Sequence, residues 1–189
     1  ARASYIAFAD VDGDNDQDVL ITGRSGAPSA PRSSRLYTND GMGNFTEVIG
    51  TPFPGVSSGS VSFADIDKDG DLDVLLTGFI TGGAGRIAAL YINDGMGNFS
   101  ELMGTPFEGV SSSSSAIADV NGDNNLDVLI GGFSSEGVIS KLYISDSTGN
   151  FTEQVGTSLD SINGGSVDFV DVDGDNDQDV LLTGGNASN

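Results

Sequence analysis

Four nine-residue loops rich in aspartate carry the side chains best suited to chemistry in this chain. They read DVDGDNDQD at residues 10–18, DIDKDGDLD at 65–73, DVNGDNNLD at 119–127 and DVDGDNDQD again at 171–179. Carboxylate or amide side chains recur at loop positions 1, 3, 5 and 9, and a backbone carbonyl near position 7 adds another oxygen. Calcium in proteins is held by oxygen ligands of these kinds. The spacing therefore predicts one Ca²⁺ site per loop, up to four in all.

Catalysis is not expected of these carboxylates. The 189 residues include neither histidine nor cysteine. That composition excludes Ser-His-Asp and Cys-His nucleophiles within the chain, as well as zinc held by histidine. Carboxylates committed to a calcium cage are not available as a general acid with a raised pKa. The sequence therefore favours a noncatalytic protein.

The loops mark a repeat of the whole chain. Their first aspartates lie 55, 54 and 52 residues apart, and a second motif keeps the same step. It reads LYTNDGMGNFTEV from Leu36, LYINDGMGNFSEL from Leu90 and LYISDSTGNFTEQ from Leu142. Repeats of about 50 residues are typical of propeller blades and solenoid units.

One repeat contains the signals of four strands. Residues 60–65 and 74–77 form two strands around the metal loop, because the first segment alternates and the second is apolar. Residues 87–92 and 99–103 supply a third and a fourth strand around a glycine-containing reversal. Four antiparallel strands in about 53 residues match one propeller blade. The predicted fold class is all-β: a β-propeller-like array of four-stranded antiparallel blades, three full repeats plus a half.

Charge and composition limit the partners and the location. The chain has 28 acidic and 7 basic residues, a net charge of -21, and no basic patch that would suit nucleic acid. No apolar run approaches the roughly 18 residues of a membrane span. Because the chain has no cysteine, it forms no disulfides, and bound calcium must supply the cross-links that stabilise the fold. Loops of this kind fill most readily where calcium is about millimolar, as it is outside cells. We therefore expect an extracellular or cell-surface location.

These motifs carry a family resemblance. The pairing of FADIDKDGDLDVLLTG (residues 63–78) with LYINDGMGNFSEL (residues 90–102) resembles the FG-GAP, or VCBS-type, repeat of integrin-like calcium-binding β-propellers. The resemblance covers essentially the whole chain. It implies that each aspartate-rich loop joins the first two strands of a blade and binds Ca²⁺.

The resemblance also implies a set of ligands in each loop. Side-chain ligands would come from positions 1, 3, 5 and 9, and a carbonyl from position 7. The side-chain set is Asp10, Asp12, Asp14 and Asp18; Asp65, Asp67, Asp69 and Asp73; Asp119, Asn121, Asp123 and Asp127; and Asp171, Asp173, Asp175 and Asp179. The carbonyls would come from Asp16, Asp71, Asn125 and Asp177.

Two departures from the family pattern lead to expectations. Position 6 is glycine only in the second loop, and the asparagines there in the other three should adopt the required left-handed conformation. The third loop has Asn121 and Asn125 where the others have aspartate, which leaves it three formal charges. It should be the weakest calcium site.

Three shorter segments have a structural interpretation. Tyr37, Tyr91 and Tyr143 should pack within blades, and turn geometry accounts for the hairpin asparagines Asn44, Asn98 and Asn150, which also stand in glycosylation sequons, as does Asn186. The serine run at 111–115 is expected to be a flexible linker into a strand.

The repeats divide the chain at 4–58, 59–112, 113–164 and a half repeat at 165–189. Closed propellers usually need about four to eight blades. This chain is therefore either a piece of a longer array or a subunit whose ends are covered by copies of itself.

The chain is expected to act in extracellular adhesion or to serve as the structural unit of a surface assembly or filament. The expected partners are copies of the chain, neighbouring repeats, an extracellular protein or a glycan. The alternatives are a lectin-like propeller that binds carbohydrate and a propeller appended to an enzyme domain.

Overall fold

The structure, a computed structural model, describes residues 4–24, 30–80, 85–146 and 148–185. All regular elements within these ranges are β-strands, in agreement with the all-β prediction. The same residues contain no helix with the length and apolar character that crossing a membrane requires.

The strands form four antiparallel sheets, which we call blades 1 to 4 in chain order. Blade 1 contains β1 (Tyr5–Ala9), β2 (Asp18–Arg24), β3 (Arg32–Asn39) and β4 (Phe45–Glu47). Blade 2 contains β5 (Val56–Ser57), β6 (Val61–Ala64), β7 (Asp73–Ile80), β8 (Arg86–Asn93) and β9 (Phe99–Glu101). Blade 3 contains β10 (Ser111–Ala118), β11 (Asp127–Phe133), β12 (Val138–Ser145) and β13 (Phe151–Glu153). Blade 4 contains β14 (Asn163–Val170) and β15 (Asp179–Gly185).

The sequence repeat is also a repeat of register. A valine of the second strand faces the motif tyrosine of the third strand in each full blade, as Val74 does Tyr91 and Val128 does Tyr143. The same pairing joins Val19 to Tyr37 in blade 1. The metal loop therefore occupies the same place in every blade, between the first two strands.

The first strand of each later blade is longer than the sequence suggested, and it is interrupted. In blade 2 it is split into β5 and β6, which both pair with β7. In blade 3 a register shift between Ser111 and Ser114 interrupts β10. These additions draw residues from before 59 and before 113 into blades 2 and 3.

The serine run at 111–115 is not a flexible linker, so that expectation was wrong. These residues begin β10, and Ser113 is buried with its hydroxyl 2.7 Å from Thr77 Oγ1. The hydroxyl of Ser115 lies 2.9 Å from that of Ser60 and 2.9 Å from that of Ser62. Hydroxyl contacts from Ser60, Ser62 and Thr77 thus join blade 2 to the first strand of blade 3. The pattern of polar residues in the sequence does not reveal these contacts.

Apolar side chains fill the spaces between successive blades. Alternation along β7 sends Val74 and Leu76 into the core shared with blade 1, and Leu75 into the core shared with blade 3. A third core lies between blades 3 and 4, around Leu129 and Val167. Each full blade is thus apolar on both faces. As far as the described residues extend, the four sheets do not close into a ring.

Candidate metal centre

The aspartate at loop position 9 begins the second strand of its blade and ties three segments together. Asp18 is fully buried, and its Oδ2 accepts the N–H of Val11 (2.9 Å) while its Oδ1 accepts the N–H of Asn39 (2.8 Å). Asp73 binds the N–H groups of Ile66 and Asn93 in the same way, both at 2.9 Å. The carboxylate therefore joins the loop to the end of the third strand.

The position 9 aspartate accepts the same two N–H groups in the third loop, but only one of them in the fourth. Asp127 accepts the N–H groups of Val120 (3.1 Å) and Ser145 (2.8 Å). Asp179 accepts the N–H of Val172 (3.0 Å), and blade 4 has no third strand among the described residues to supply a second donor.

The aspartate at position 1 folds the loop around itself. Asp10 accepts the N–H groups of Gly13 (2.8 Å) and Asn15 (2.9 Å), and Asp171 accepts the equivalent donors in the fourth loop. The donor at position 6 points inward because its residue is left-handed. Its φ is 71° at Asn15, 98° at Gly70, 66° at Asn124 and 72° at Asn176. The expectation that asparagine would adopt this conformation is confirmed.

Three of the loops bring carboxylates close enough to share one ion. Oxygens at positions 1, 3 and 9 lie within 4.8 Å of one another in each group. The groups are Asp10, Asp12 and Asp18; Asp65, Asp67 and Asp73; and Asp171, Asp173 and Asp179. These residues come together as the sequence predicts.

The carboxylates at position 5 are not members of these groups. Asp14, Asp69 and Asp175 accept the N–H of the residue two further on, at 2.9, 3.0 and 3.0 Å. The position 3 residues Asp67 and Asp173 make the same contact at 3.3 and 3.2 Å. The sequence assigned the position 5 carboxylates the same role as their neighbours. The structure places them in the loop turn.

The residue at position 7 has a side-chain contact that the sequence reading did not anticipate. A Cβ built on Gly95, in the hairpin between β8 and β9, would overlap the carboxylate of Asp71. Gly41 stands in the same relation to Asp16. The metal loop and the hairpin motif therefore touch. The similar separation of the two motifs in each repeat, 26, 25 and 23 residues from the first aspartate of the loop to the leucine of the hairpin motif, was the available signal in the sequence.

The electrostatics of the groups suit a cation. Burial, followed by the nearby Asp18 and Asp14 carboxylates, raises the pKa of Asp12, and burial and Asp69 do the same for Asp67. Burial raises the pKa of Asp73 to about 6, although its two N–H donors oppose the rise. Buried carboxylates crowded together disfavour their charged forms, and a bound cation removes that cost.

Two buried oxygens in the loops accept no hydrogen bond. These are Asp12 Oδ1 and Asp65 Oδ1. Buried polar atoms nearly always have hydrogen-bond partners, so a buried oxygen without a donor indicates that an ion or a water binds there. Since both atoms belong to three-carboxylate groups, the residues of the first two loops fit a divalent cation.

The third loop is arranged differently. Asn121 Nδ2 donates to Asp123 Oδ2 (3.1 Å), and Nζ of Lys68, from the second loop, donates to Asn125 Oδ1 (2.7 Å). Backbone N–H donation from Asn125, the largest cause, together with the side chains of Asn121 and Asn125 and the nearby Lys68, lowers the pKa of Asp123. The sequence reading gave no role to Lys68.

The other motif residues have the structural roles expected of them. Tyr91 and Tyr143 are buried between blades, whereas Tyr37 is half-buried on blade 1. The side chain of Asn98 donates to Asp94 (3.0 Å) within its hairpin, and Asn44 does the same to Asp40 (2.7 Å). Asn150 likewise contacts Asp146 (3.3 Å). The sequon at Asn186 lies outside the described residues.

Comparison with known proteins agrees with the blade architecture. The solved structure of YjhT, a propeller, aligns with a TM-score of 0.57 at 11% identity, over 86% of this chain and 55% of that one. This chain thus spans just over half the length of YjhT, and a likeness at this identity concerns the fold alone. None of the curated proteins compared with the chain matches it.

The family assignment rests on the repeats themselves. The profile of the FG-GAP-like repeat matches residues 10–76 and 119–182, more than half of the chain. Both matched segments begin at the first aspartate of a metal loop and extend into the apolar second strand of the following blade. The chain therefore belongs to the FG-GAP-like repeat family and is built as an open array of propeller blades.

Proposed function

We propose that this chain is a noncatalytic calcium-binding module of an extracellular or cell-surface protein, which acts in adhesion or as the structural unit of a surface assembly. The observation that carries the calcium assignment is the repeated group of three carboxylates at loop positions 1, 3 and 9, with a buried oxygen left without a donor in two of them. When bound, calcium would supply charge neutralisation and a rigid oxygen cage. FG-GAP repeats are typical of extracellular proteins.

Calcium at these positions would stabilise whole blades as well as loops. Its ligand at position 9 also holds the loop to the third strand, through Asn39 in blade 1 and Asn93 in blade 2. Neutralising the loop carboxylates with calcium would therefore also stabilise the contact between the loop and the third strand.

A role in assembly is supported by the exposed face of blade 1. An apolar cavity of about 350 Å³ lies on this face and is lined by Ile6, Phe8, Val19, Ile21, Tyr37 and Phe45. Ile6 and Phe8 are each 59% exposed. A concave apolar surface of this kind is normally covered by a partner.

The equivalent face of blade 2 indicates what would cover it. Register places Val61, Phe63, Val74 and Leu76 of blade 2 where blade 1 has Ile6, Phe8, Val19 and Ile21. In blade 2 these side chains pack against the rear face of blade 1, including Ala9, Val11 and Leu20. The face of blade 1 therefore fits the rear face of another blade.

Blade 4 presents a rear face of that kind. Val170, Val172 and Leu181 occupy the positions of Ala9, Val11 and Leu20 and are 41%, 71% and 54% exposed, whereas the blade 1 residues are almost completely buried. The proposed occupant of the blade 1 face is the blade 4 face of a second copy. A head-to-tail contact of this type is heterologous and extends into a filament where its rotation does not close a ring.

Sedimentation velocity of the 189-residue chain in calcium tests assembly. The wild type should form species that grow with concentration. Phe8→Asp, which puts a charge into the apolar cavity, should remain a monomer, and Ile49→Asp, at a position 81% exposed outside the cavity, should assemble as the wild type does. A compact wild-type monomer at high concentration would contradict the proposal.

Carbohydrate binding is the second candidate, and one observation favours it. Small pockets recur at equivalent places in two blade junctions. One, of about 90 Å³, is lined by residues 48–52 and 97–99, and the other, of about 200 Å³, by residues 102–105 and 149–151. Each includes one phenylalanine, Phe99 or Phe151.

Glycan-array binding in calcium tests this second function. Binding that Gly149→Trp abolishes, because the larger side chain fills the pocket, would support it, and an array without signal would oppose it. An enzyme domain joined to these repeats in a longer gene product is the third possibility, and the full coding sequence would reveal it.

A further inference from the structure

The third loop, residues 119–127, lacks the arrangement that the other three share. Within the described residues, three-carboxylate groups occur in loops one, two and four, and none of them includes Asp119, Asp123 or Asp127. The sequence predicted a weak calcium site here, because position 3 is Asn121. The contacts of the loop support a stronger conclusion.

Asn121 turns a donor toward the centre of the loop. Its Oδ1 accepts the backbone N–H of Asp123 (2.9 Å), and its Nδ2 donates to Asp123 Oδ2 (3.1 Å). Reversing the amide would set its NH₂ against the backbone N–H, so the backbone determines this orientation. An NH₂ group cannot coordinate a cation, and it occupies a carboxylate oxygen that would otherwise be available.

The position 1 carboxylate accepts three backbone N–H groups, one more than the two that Asp10 and Asp171 accept. Asp119 Oδ1 accepts the N–H groups of Gly122 (2.8 Å) and Asp123 (3.2 Å), and Oδ2 accepts that of Asn124 (2.7 Å). The negative charge of Asp119 is therefore stabilised by backbone N–H groups of its own loop.

A lysine of the neighbouring loop contacts loop three. Nζ of Lys68, at position 4 of loop two, donates to Asn125 Oδ1 at 2.7 Å, and Asn125 is only 8% exposed. Asn125 stands at position 7, where the family pattern provides a ligand. The contact is made by the Asn125 side chain, whereas the ligand expected at position 7 is the backbone carbonyl. The ammonium therefore lies against loop three, where its positive charge opposes the approach of a second cation.

The backbone at Lys68 shows that this lysine occupies a site suited to glycine. Position 4 is glycine in the other three loops, with φ of 77° at Gly13, 76° at Gly122 and 82° at Gly174. Lys68 adopts φ of 65° at the same position, in a region that L-residues with side chains enter at a cost. The side chain that accepts this conformation is the one that reaches loop three.

We propose that loop three is a metal-independent copy of the motif, in which the Asn121 amide binds the Asp123 carboxylate and the Lys68 ammonium supplies a positive charge beside the loop. The chain then binds three calcium ions, in loops one, two and four. The junction between blades 2 and 3 is held at this point by a lysine, whether or not calcium is present. The inference rests on the proposed calcium binding of the other loops.

Two measurements on the full 189-residue chain test it. Native mass spectrometry with added CaCl₂ should show three bound ions at saturation. Amide NMR in the same titration should show saturable shifts at Gly13 and Asn15 of loop one, with the signals of Gly122 and Asn124 unchanged. A fourth ion, or saturable shifts at Gly122 and Asn124, would overturn the proposal. The absence of calcium from every loop would instead refute the calcium-binding function.

A double variant tests which residues exclude the metal. Lys68→Gly combined with Asn121→Asp removes the ammonium and restores the position 3 carboxylate, so it should bind four ions. The matched control, Gln154→Glu with Val155→Asp, makes the same change of net charge at exposed positions outside the loops, and should bind three. A double variant that still binds three would overturn the assignment of Lys68 and Asn121.

Discussion

Asp73 accepts the backbone N–H of Asn93 at 2.9 Å, across 20 residues of sequence and from the second strand of blade 2 to the third. Its other oxygen accepts the N–H of Ile66 in the metal loop. One fully buried carboxylate thus serves a candidate metal group and a junction of strands. Metal binding and blade stability are expected to change together.

Removing the charge at position 9 should destabilise blade 2 without calcium. Asp73→Asn puts an NH₂ group against one of two backbone donors, and an unsatisfied buried group costs about 1–3 kcal/mol. Asp179→Asn should cost less, because Asp179 has one such donor and is less buried. Urea unfolding in chelator measures both variants, and equal losses would contradict the role of the second donor.

Calcium should raise the thermal stability of the chain. A site that is exposed to ligand at about 100 times its dissociation constant contributes about 2.7 kcal/mol. Several such sites would add an amount comparable to the net stability of an ordinary domain, about 5–15 kcal/mol. Melting curves in excess CaCl₂ and in chelator should have clearly separated midpoints. Coincident midpoints would refute calcium-dependent stability, and MgCl₂ serves as the control.

The affinity for calcium should fall as the pH is lowered. Burial raises the pKa of Asp73 to about 6 in the folded chain, above its ordinary value of 3.8. In the metal-free chain the contribution of this group to folding is full below pH 3.8 and is lost as the pH rises through about 6. Calcium requires the ionised form and must displace the proton. Titrations at pH 7 and pH 5 should show weaker binding at pH 5. An affinity of loop two that did not change would contradict the assignment.

The contact between the hairpin and the metal loop predicts a difference between two glycines. Gly95 and Gly97 have φ of 74° and 75°, so alanine meets a similar left-handed strain at either position, about 1–2 kcal/mol. A Cβ at Gly95 would also overlap the carboxylate of Asp71, whereas at Gly97 the nearest atom is 3.8 Å away, in ordinary contact. Gly95→Ala should therefore lower the melting temperature and the calcium affinity of loop two more than Gly97→Ala. Equal effects would show that the Asp71 contact is unimportant.

The local features of this protein could be read from its sequence. The spacing of aspartates identified the loops, and the apolar segment after each loop identified the second strand, since both depend on neighbours along the chain. Left-handed asparagines at position 6 followed from the geometry of a tight turn. The tyrosine beside each motif leucine pointed to packing, and Tyr91 and Tyr143 are indeed buried, although they lie between blades.

Contacts between segments were decided by the tertiary structure. The spacing of side chains along a loop does not show which ones converge, so Asp14 and Asp12 looked alike although only Asp12 belongs to the group of three close carboxylates. The serines at 111–115 belong to a strand that pairs with β11, and hydroxyls of blade 2 lie against it. Lys68 reaches Asn125 because successive blades stack with their loops side by side. A repeat encodes the shape of each blade, whereas charge and hydrogen-bond balance at a junction depend on residues about 55 positions apart that meet only after the blades have packed.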